Sequence, residues 1–292
     1  MKFFLALEPF HQKTEQIKNM FRILGHFSGA PKTTHVGFVV TRSESEINLA
    51  FDYPPEERFT VFPKNKIKEL LKKSKIHVPD SQIHVTDFPT LSVTKSTKRL
   101  HEMAQKQKVE AIALFTKSQK GFARFALGSF AESLIHSSQL PLLIMNPKAQ
   151  VPKKIKNVFL CLDQSPSWKS DLERAIELCR QMKSKLTVFH AAQVSYRWSM
   201  DEENSQVLSY RKKVDSWLEQ MSEVCESSKV DIECVLAAEF ESPAVLALRQ
   251  AKTEKADIVI VKAKTGRLAA LLGGSVTRRI VREASVPVFV LK

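Results

Sequence analysis

The sequence predicts an α/β protein made of two copies of one domain, each a doubly wound, five-stranded parallel sheet covered by helices. Three observations predict it. The segment "ALGSFAESLIHSSQLPLLIMN" in mid-chain returns, worn, as "LLGGSVTRRIVREASVPVFVLK" at the end, and Gly128 set over Gly274 aligns the two without a gap through Pro141 over Pro287. A fixed offset of this kind marks an internal duplication. Short runs that are apolar throughout alternate with amphipathic stretches, the pattern of strands buried on both faces between covering helices. The 292 residues also accommodate two cores of ordinary size.

The elements follow in order. "KFFLALE", Lys2 to Glu8, reads as a first buried strand; it is too short for a signal peptide and lacks a small-residue cleavage site. The irregular stretch Thr41 to Pro63 stands where most of a helix belongs. "KNKIKELLKKSK" then sets Lys64, Lys68, Lys72 and Lys75 on one helical face and Ile67, Leu70 and Leu71 on the other. "AIALF", Ala111 to Phe115, and "LPLLIM" are two further buried strands. The polar, proline-bearing join Asn146 to Asn157 divides the chain into domains 1–150 and 151–292.

The second copy is cleaner. "VFLCLD" lies over the first strand, and its helix carries Leu172, Ala175, Ile176, Cys179 and Met182 on one face. "KLTVFHAA" is the second strand. A long helix from about Asp201 places Val207, Val214, Trp217, Leu218, Met221 and Cys225 on one side. Strand "VDIECVLAA", helix "SPAVLALRQAK", strand "DIVIVKA", a helix from Ser275 and strand "VPVFVL" complete five strands alternating with four helices.

Composition excludes several classes. Hydrophobic residues make up 43% of the chain, yet no stretch approaches the roughly 20 continuous apolar residues of a membrane span, so a soluble cytoplasmic protein is expected. Cys161, Cys179, Cys225 and Cys234 all fall in the second half without a C-x-x-C, which suits reduced, mostly buried thiols rather than a disulfide framework or zinc ribbon. The formal net charge of +14 attracts polyanions but names no partner. The Lys64-to-Lys75 face is read as solvated over a buried stripe, with a polyanion-binding strip as the alternative; aromatic residues are not interleaved with it as single-strand binding favours. His35, His84 and His190, within or beside strands, are read as structural, and the motifs of serine hydrolases, P-loop proteins and zincins are absent.

Over its whole length the second half resembles the universal stress protein family, and the complete chain resembles a tandem member. The resemblance is carried by "FLCLDQSPSWKSDLERAIELCRQMKSKLTVFHAA", which opens on Asp163-x-Ser165, by "ESPAVLALRQAKTEKADIVIV", and by "GSVTRRIVREASVPVFVL". The first half matches at its first strand and from Thr90 to Asn146. It implies a Rossmann-like sheet of order 3-2-1-4-5 in each copy, with the fifth strands, Leu142 to Met145 and Val288 to Leu291, pairing across a pseudo-two-fold axis as an intrachain pseudo-dimer. An apolar strand at an open edge invites aggregation, and a linked second copy supplies its permanent partner.

Nucleotide-binding members of that family carry an Asp after the first strand and G-x2-G-x9-G-[ST] after the fourth, where backbone amides and a helix N-terminus receive phosphate. The second copy keeps Asp163, Gly274 and Ser275, with Gly266 and Gly273 nearby, but has Val261 and Lys264 at the first two glycine places. The first copy has Glu8 for the Asp, Phe115 and Ser118 for those glycines, and keeps Gly128 and Ser129. The site residues implied are Asp163, Ser165, Lys262, Lys264, Gly273, Gly274, Ser275 and Arg278. No cofactor is certain; any anion that binds, whether ATP, phosphate or sulfate, is expected at that second mouth, ringed by Lys262, Lys264, Arg267, Arg278 and Arg279, and not at Ser129, where Ser129 and Glu132 spell a capping box. The alternative is that Gly274-Ser275 is a plain helix cap and the cations a solvated rim.

The expectation is therefore a cytoplasmic, non-enzymatic tandem stress protein, a binding or interaction module with degenerate nucleotide sites, in which Asp163 is not a catalytic carboxylate. The alternatives are an ATP-binding switch with slow hydrolysis in the second domain and, less favoured, a basic nucleic-acid-associated protein. The partners envisaged are the intrachain copy, a further homodimer or another protein, with no membrane.

Overall fold

A computed structural model of the chain describes residues 1–28, 34–40, 54, 57–87, 92–116, 129–147, 149–191, 205–237, 241–263 and 275–292. Most of the irregular stretch after Val40 lies outside them. The first copy holds β1 (Phe3–Ala6), α1 (Thr14–Ser28), β2 (Thr34–Val40), α2 (Val61–Lys73), β3 (Ile83–Asp87), α3 (Val93–Lys106), β4 (Ala111–Phe115), α4 (Ser129–Ser137) and β5 (Leu142–Met145). The second holds β6 (Asn157–Cys161), α5 (Trp168–Met182), β7 (Lys185–Ala191), α6 (Ser205–Glu226), β8 (Ile232–Ala237), α7 (Pro243–Thr253), β9 (Ile258–Lys262), α8 (Ser275–Glu283) and β10 (Val288–Leu291).

The strands form one ten-stranded sheet in the order β3-β2-β1-β4-β5-β10-β9-β6-β7-β8. Each half is parallel and ordered 3-2-1-4-5, and β5 meets β10 antiparallel with Leu143 opposite Phe289. Those two residues occupy the same place in the two repeats, so the pseudo-two-fold axis passes between them. The eight side chains of β5 and β10 are buried, which leaves no apolar edge at the seam. Phe27 of α1 stacks on Phe289 with ring centroids 5.3 Å apart, so the first domain's helix also packs on the second domain's strand.

Helices cover both faces, as the apolar-throughout strands require. One face is built from α1, α2, α5 and α6, whose Ile17, Ile67, Leu172 and Trp217 share a core; the other from α3, α4, α7 and α8 with Leu100, Leu134, Leu246 and Ile280. The stripe expected on α5 is buried at all five positions. On α6, Val214, Trp217 and Met221 are buried and Leu218 and Cys225 pack at the margin. Residues 201–204 and the side chain of Val207 lie outside the described residues.

The two cores solve one position differently. In the second, Phe159 of β6 stacks on Phe189 of β7, with centroids 5.4 Å apart. Strand register puts Gly37 in the place of Phe189, and there Phe4 lies across the glycine so closely that a Cβ would stand 2.1 Å from its ring. His84 stacks beyond Phe4, and its Nε2 shares a 2.9 Å hydrogen bond with Nδ1 of His35. The two imidazoles stack on each other with centroids 5.2 Å apart.

The thiols correct one expectation: Cys179 alone is buried, Cys161 and Cys225 are half-buried, and Cys234 is exposed. Cys234 is exposed because β8 is an outer edge strand with one neighbour among the described residues.

Candidate functional site

Ligands of open α/β sheets bind beyond the carboxyl ends of the strands, where the chain departs in opposite directions from adjacent strands. In the second domain β6 and β9 are those neighbours. Asp163 follows β6 and is exposed; its Oδ1 accepts the Ser165 N–H at 3.1 Å, closing the turn into α5. Glu8 does the same work in the first copy, accepting the N–H groups of Phe10 at 2.8 Å and His11 at 2.9 Å. The acidic residue after the first strand thus caps a turn in both copies.

At the end of β9, Lys262 turns inward. Its ammonium donates to both carboxylate oxygens of Asp171, at 2.9 and 2.8 Å, and to Ser167 Oγ. Ser167 Oγ in turn donates to Asp171 Oδ2 at 3.0 Å. The Asp171 side chain is 3% exposed and sits in the first turn of α5, where the helix dipole favours an anion. Thr277 Oγ1 donates to the Lys262 carbonyl at 2.8 Å, tying α8 to the same strand end. Asp171 was not anticipated from the sequence; a carboxylate beside the apolar stripe of α5 is its only signal.

Arg278 also differs from the expectation of a cation waiting for an anion. Its Nη1 donates to Glu132 Oε1 at 2.7 Å, across the domain boundary. Glu132, read in the sequence as one half of a capping box with Ser129, pairs its carboxylate with Arg278, and Gly128, ahead of the helix, lies outside the described residues. Arg279 pairs with Glu283 at 3.3 Å and donates to Ser242 Oγ. Lys264, Gly266, Arg267, Gly273 and Gly274, and the side chain of Ser275, lie outside the described residues. Of the eight expected site residues, the structure therefore gathers Asp163, Ser165 and Lys262 at one crevice, while Arg278 is paired at the domain seam.

A cavity of about 740 Å³ adjoins the Asp163 turn. Gln164, Trp168, Lys212, Lys213 and Trp217 line it, the two indoles meeting edge to face at 5.9 Å. His190 lies against Trp217 at 4.8 Å and its Nδ1–H donates to the Leu162 carbonyl, which leaves the buried His190 Nε2 and Trp217 Nε1 without a hydrogen-bond partner among the described residues. Sequence spacing marked Trp217 as core only; its pairing with Trp168 and His190 depends on how α6 lies over α5.

With this geometry in view, the relatives are informative. Residues 154–292 match the profile of the Universal stress protein family. The second domain belongs to the universal stress protein family. The whole length of the chain shares the fold of a universal stress protein from Archaeoglobus fulgidus DSM 4304, at TM-score 0.66 and 16% identity over 99% of this chain and 98% of that one. A putative universal stress protein from Pseudomonas aeruginosa UCBPP-PA14 aligns at TM-score 0.61 and 14% identity, over 100% and 93%. Among curated proteins none matches. No described helix is long and apolar enough to cross a membrane.

Proposed function

We propose that this universal stress protein is a non-enzymatic binding module of the cytoplasm, acting in stress response, whose nucleotide-phosphate site in the second domain is degenerate. The observation that carries this reading is the Lys262–Asp171–Ser167 cluster. An ammonium held by a buried carboxylate must surrender that partner before it can meet a phosphate, and stranding Asp171 would cost several kcal/mol. The shared turn-capping role of Asp163 and Glu8 supports a structural rather than catalytic carboxylate.

A second reading, an ATP-binding switch with slow turnover, is favoured by one feature. The cavity beside Asp163, walled by the indoles of Trp168 and Trp217, suits a planar base more than it suits the phosphates. Mass spectrometry of small molecules released from the denatured protein, with calorimetric ATP titration, separates the readings. The degenerate-site reading expects no nucleotide released and a dissociation constant near or above about 1 mM. Stoichiometric nucleotide, or micromolar ATP binding with turnover lost in Asp163→Asn, overturns it.

A further inference from the structure

The outermost strand of the first domain, β3, pairs with β2 alone, so one side of its backbone ladder is open among the described residues. Open edges are ordinarily blunted or covered, because they template another strand. This edge is recessed instead. Ile83 is buried and His84, Val85 and Thr86 are half-buried, and all four line a cavity of about 570 Å³. Successive strand residues point to opposite faces, so a cavity touching four in a row runs along the edge rather than over one face. Its walls agree, for α2 packs on one face of the sheet and α3 on the other, and both contribute side chains.

The walls are basic. Lys64 and Lys68 come from α2, and Arg99 and Lys106 from α3. Lys68 pairs with Asp80, and Arg99 reaches Glu102 only at 3.4 Å and Thr86 Oγ1 at 3.5 Å, while its buried Nε has no partner among the described residues. No carboxylate comes within ion-pair reach of Lys64 or Lys106 among the described residues. Val61, 38% exposed at the rim, and Met103 add apolar surface.

We propose that this groove docks an extended acidic segment of a partner protein, which adds as a further strand beside β3. Backbone pairing to the open ladder supplies affinity, and the cations on both flanks select acidic side chains whichever way they alternate. Charge complementarity favours an acidic peptide, and the open ladder favours it over nucleic acid, since among the described residues no Phe, Tyr or Trp lines the groove to stack a base. Half of the lysine face that the sequence offered as solvated thereby gains a role. The surface is remote in sequence and sheet order from the β6–β9 crevice, so its test is independent of nucleotide binding.

The test uses the full chain and a fluorescein-labelled peptide of repeated Glu-Glu-Val, followed by fluorescence anisotropy. Binding is expected, weakening with salt, and reduced about tenfold or more both by Lys64→Glu with Lys106→Glu and by methylating alternate backbone nitrogens of the peptide. Amide resonances of Ile83 to Thr86 should shift. Circular dichroism of the double variant checks its fold, and the methylated peptide leaves the protein untouched. Three results overturn the proposal: no binding of the peptide at millimolar concentration; equal binding of the methylated peptide or of a single-stranded oligonucleotide of equal charge; or shifts centred away from β3.

Discussion

The helix after the fourth strand carries Glu132 in the first domain and Arg278 in the second, and the two are 146 positions apart, the offset of the repeat itself. They meet at the axis. A residue near a two-fold axis faces its own copy, so a homodimer of either domain would set like charges together, whereas the tandem chain sets opposite charges together. Divergence after duplication has thus made the seam specific to one chain, and used for it a cation that the sequence alone assigned to a ligand. The mouths behind the seam diverge likewise. The second holds Lys262 paired with the buried Asp171, while the first has Thr116 at the equivalent place, buried and with its hydroxyl unpartnered among the described residues.

The largest effect should come from removing the seam. Val290, fully buried and opposite Leu142, replaced by Pro, loses a ladder donor and clashes in the middle of the ten-stranded sheet. A cost of about 3 kcal/mol or more is expected, with aggregation visible by gel filtration. Unchanged size and denaturation would mean that the halves are not held by this pair.

Next is the mouth. Asp171→Asn leaves the Lys262 ammonium without its countercharge, and about 3–5 kcal/mol of stability should be lost in urea denaturation. Adding Lys262→Met should recover most of it. If ATP affinity rises in Asp171→Asn while the fold holds, the cluster is confirmed as the block to phosphate.

The charge pair at the axis contributes less, because both side chains are about two-fifths exposed: 41% for Arg278 and 37% for Glu132. Glu132→Arg or Arg278→Glu should each lower stability by about 1 kcal/mol, and the double exchange should restore it. Additive losses in that double-mutant cycle would show that the pair carries no specificity.

The smallest effect separates the two cores by pH. His35 is lowered to about 4 by burial, with Lys2 and His84 adding repulsion, and His84 is lowered by burial beside Lys64. The folded state therefore binds fewer of these protons than the unfolded chain, so their contribution is complete above pH 6.5 and falls as pH drops toward about 4. The second core has Thr187 at the equivalent position. Hydrogen exchange should show β2 and β3 opening before β7 and β8 as pH is lowered from 7 to about 4.5, and His35→Asn should flatten that difference.

Much of the fold was legible in order and type. The stripe on α5, the lysine-over-leucine pattern of α2 and the apolar strands are local periodicities, and burial follows period wherever an element has one covered face. Helix ends were less legible. Lys75, Lys108, Lys183, Lys229 and Lys255 occupy the left-handed region, with φ from 51° to 58°, at or just beyond the ends of α2, α3, α5, α6 and α7. Glycine usually marks such places, and lysine carries no such signal.

The sequence by itself determined two related α/β units, the apolar strands that join them, and the acidic turn after each first strand, because those depend on spacing within a few residues or on comparing one repeat with the other. Only the tertiary structure decided which charges are free. Asp171 and Lys262 are 91 residues apart and Glu132 and Arg278 are 146 apart, and an ion pair depends on atoms meeting within 4 Å. Neither composition nor spacing encodes that distance. It arises only when the sheet order brings β9 beside β6 and β10 beside β5.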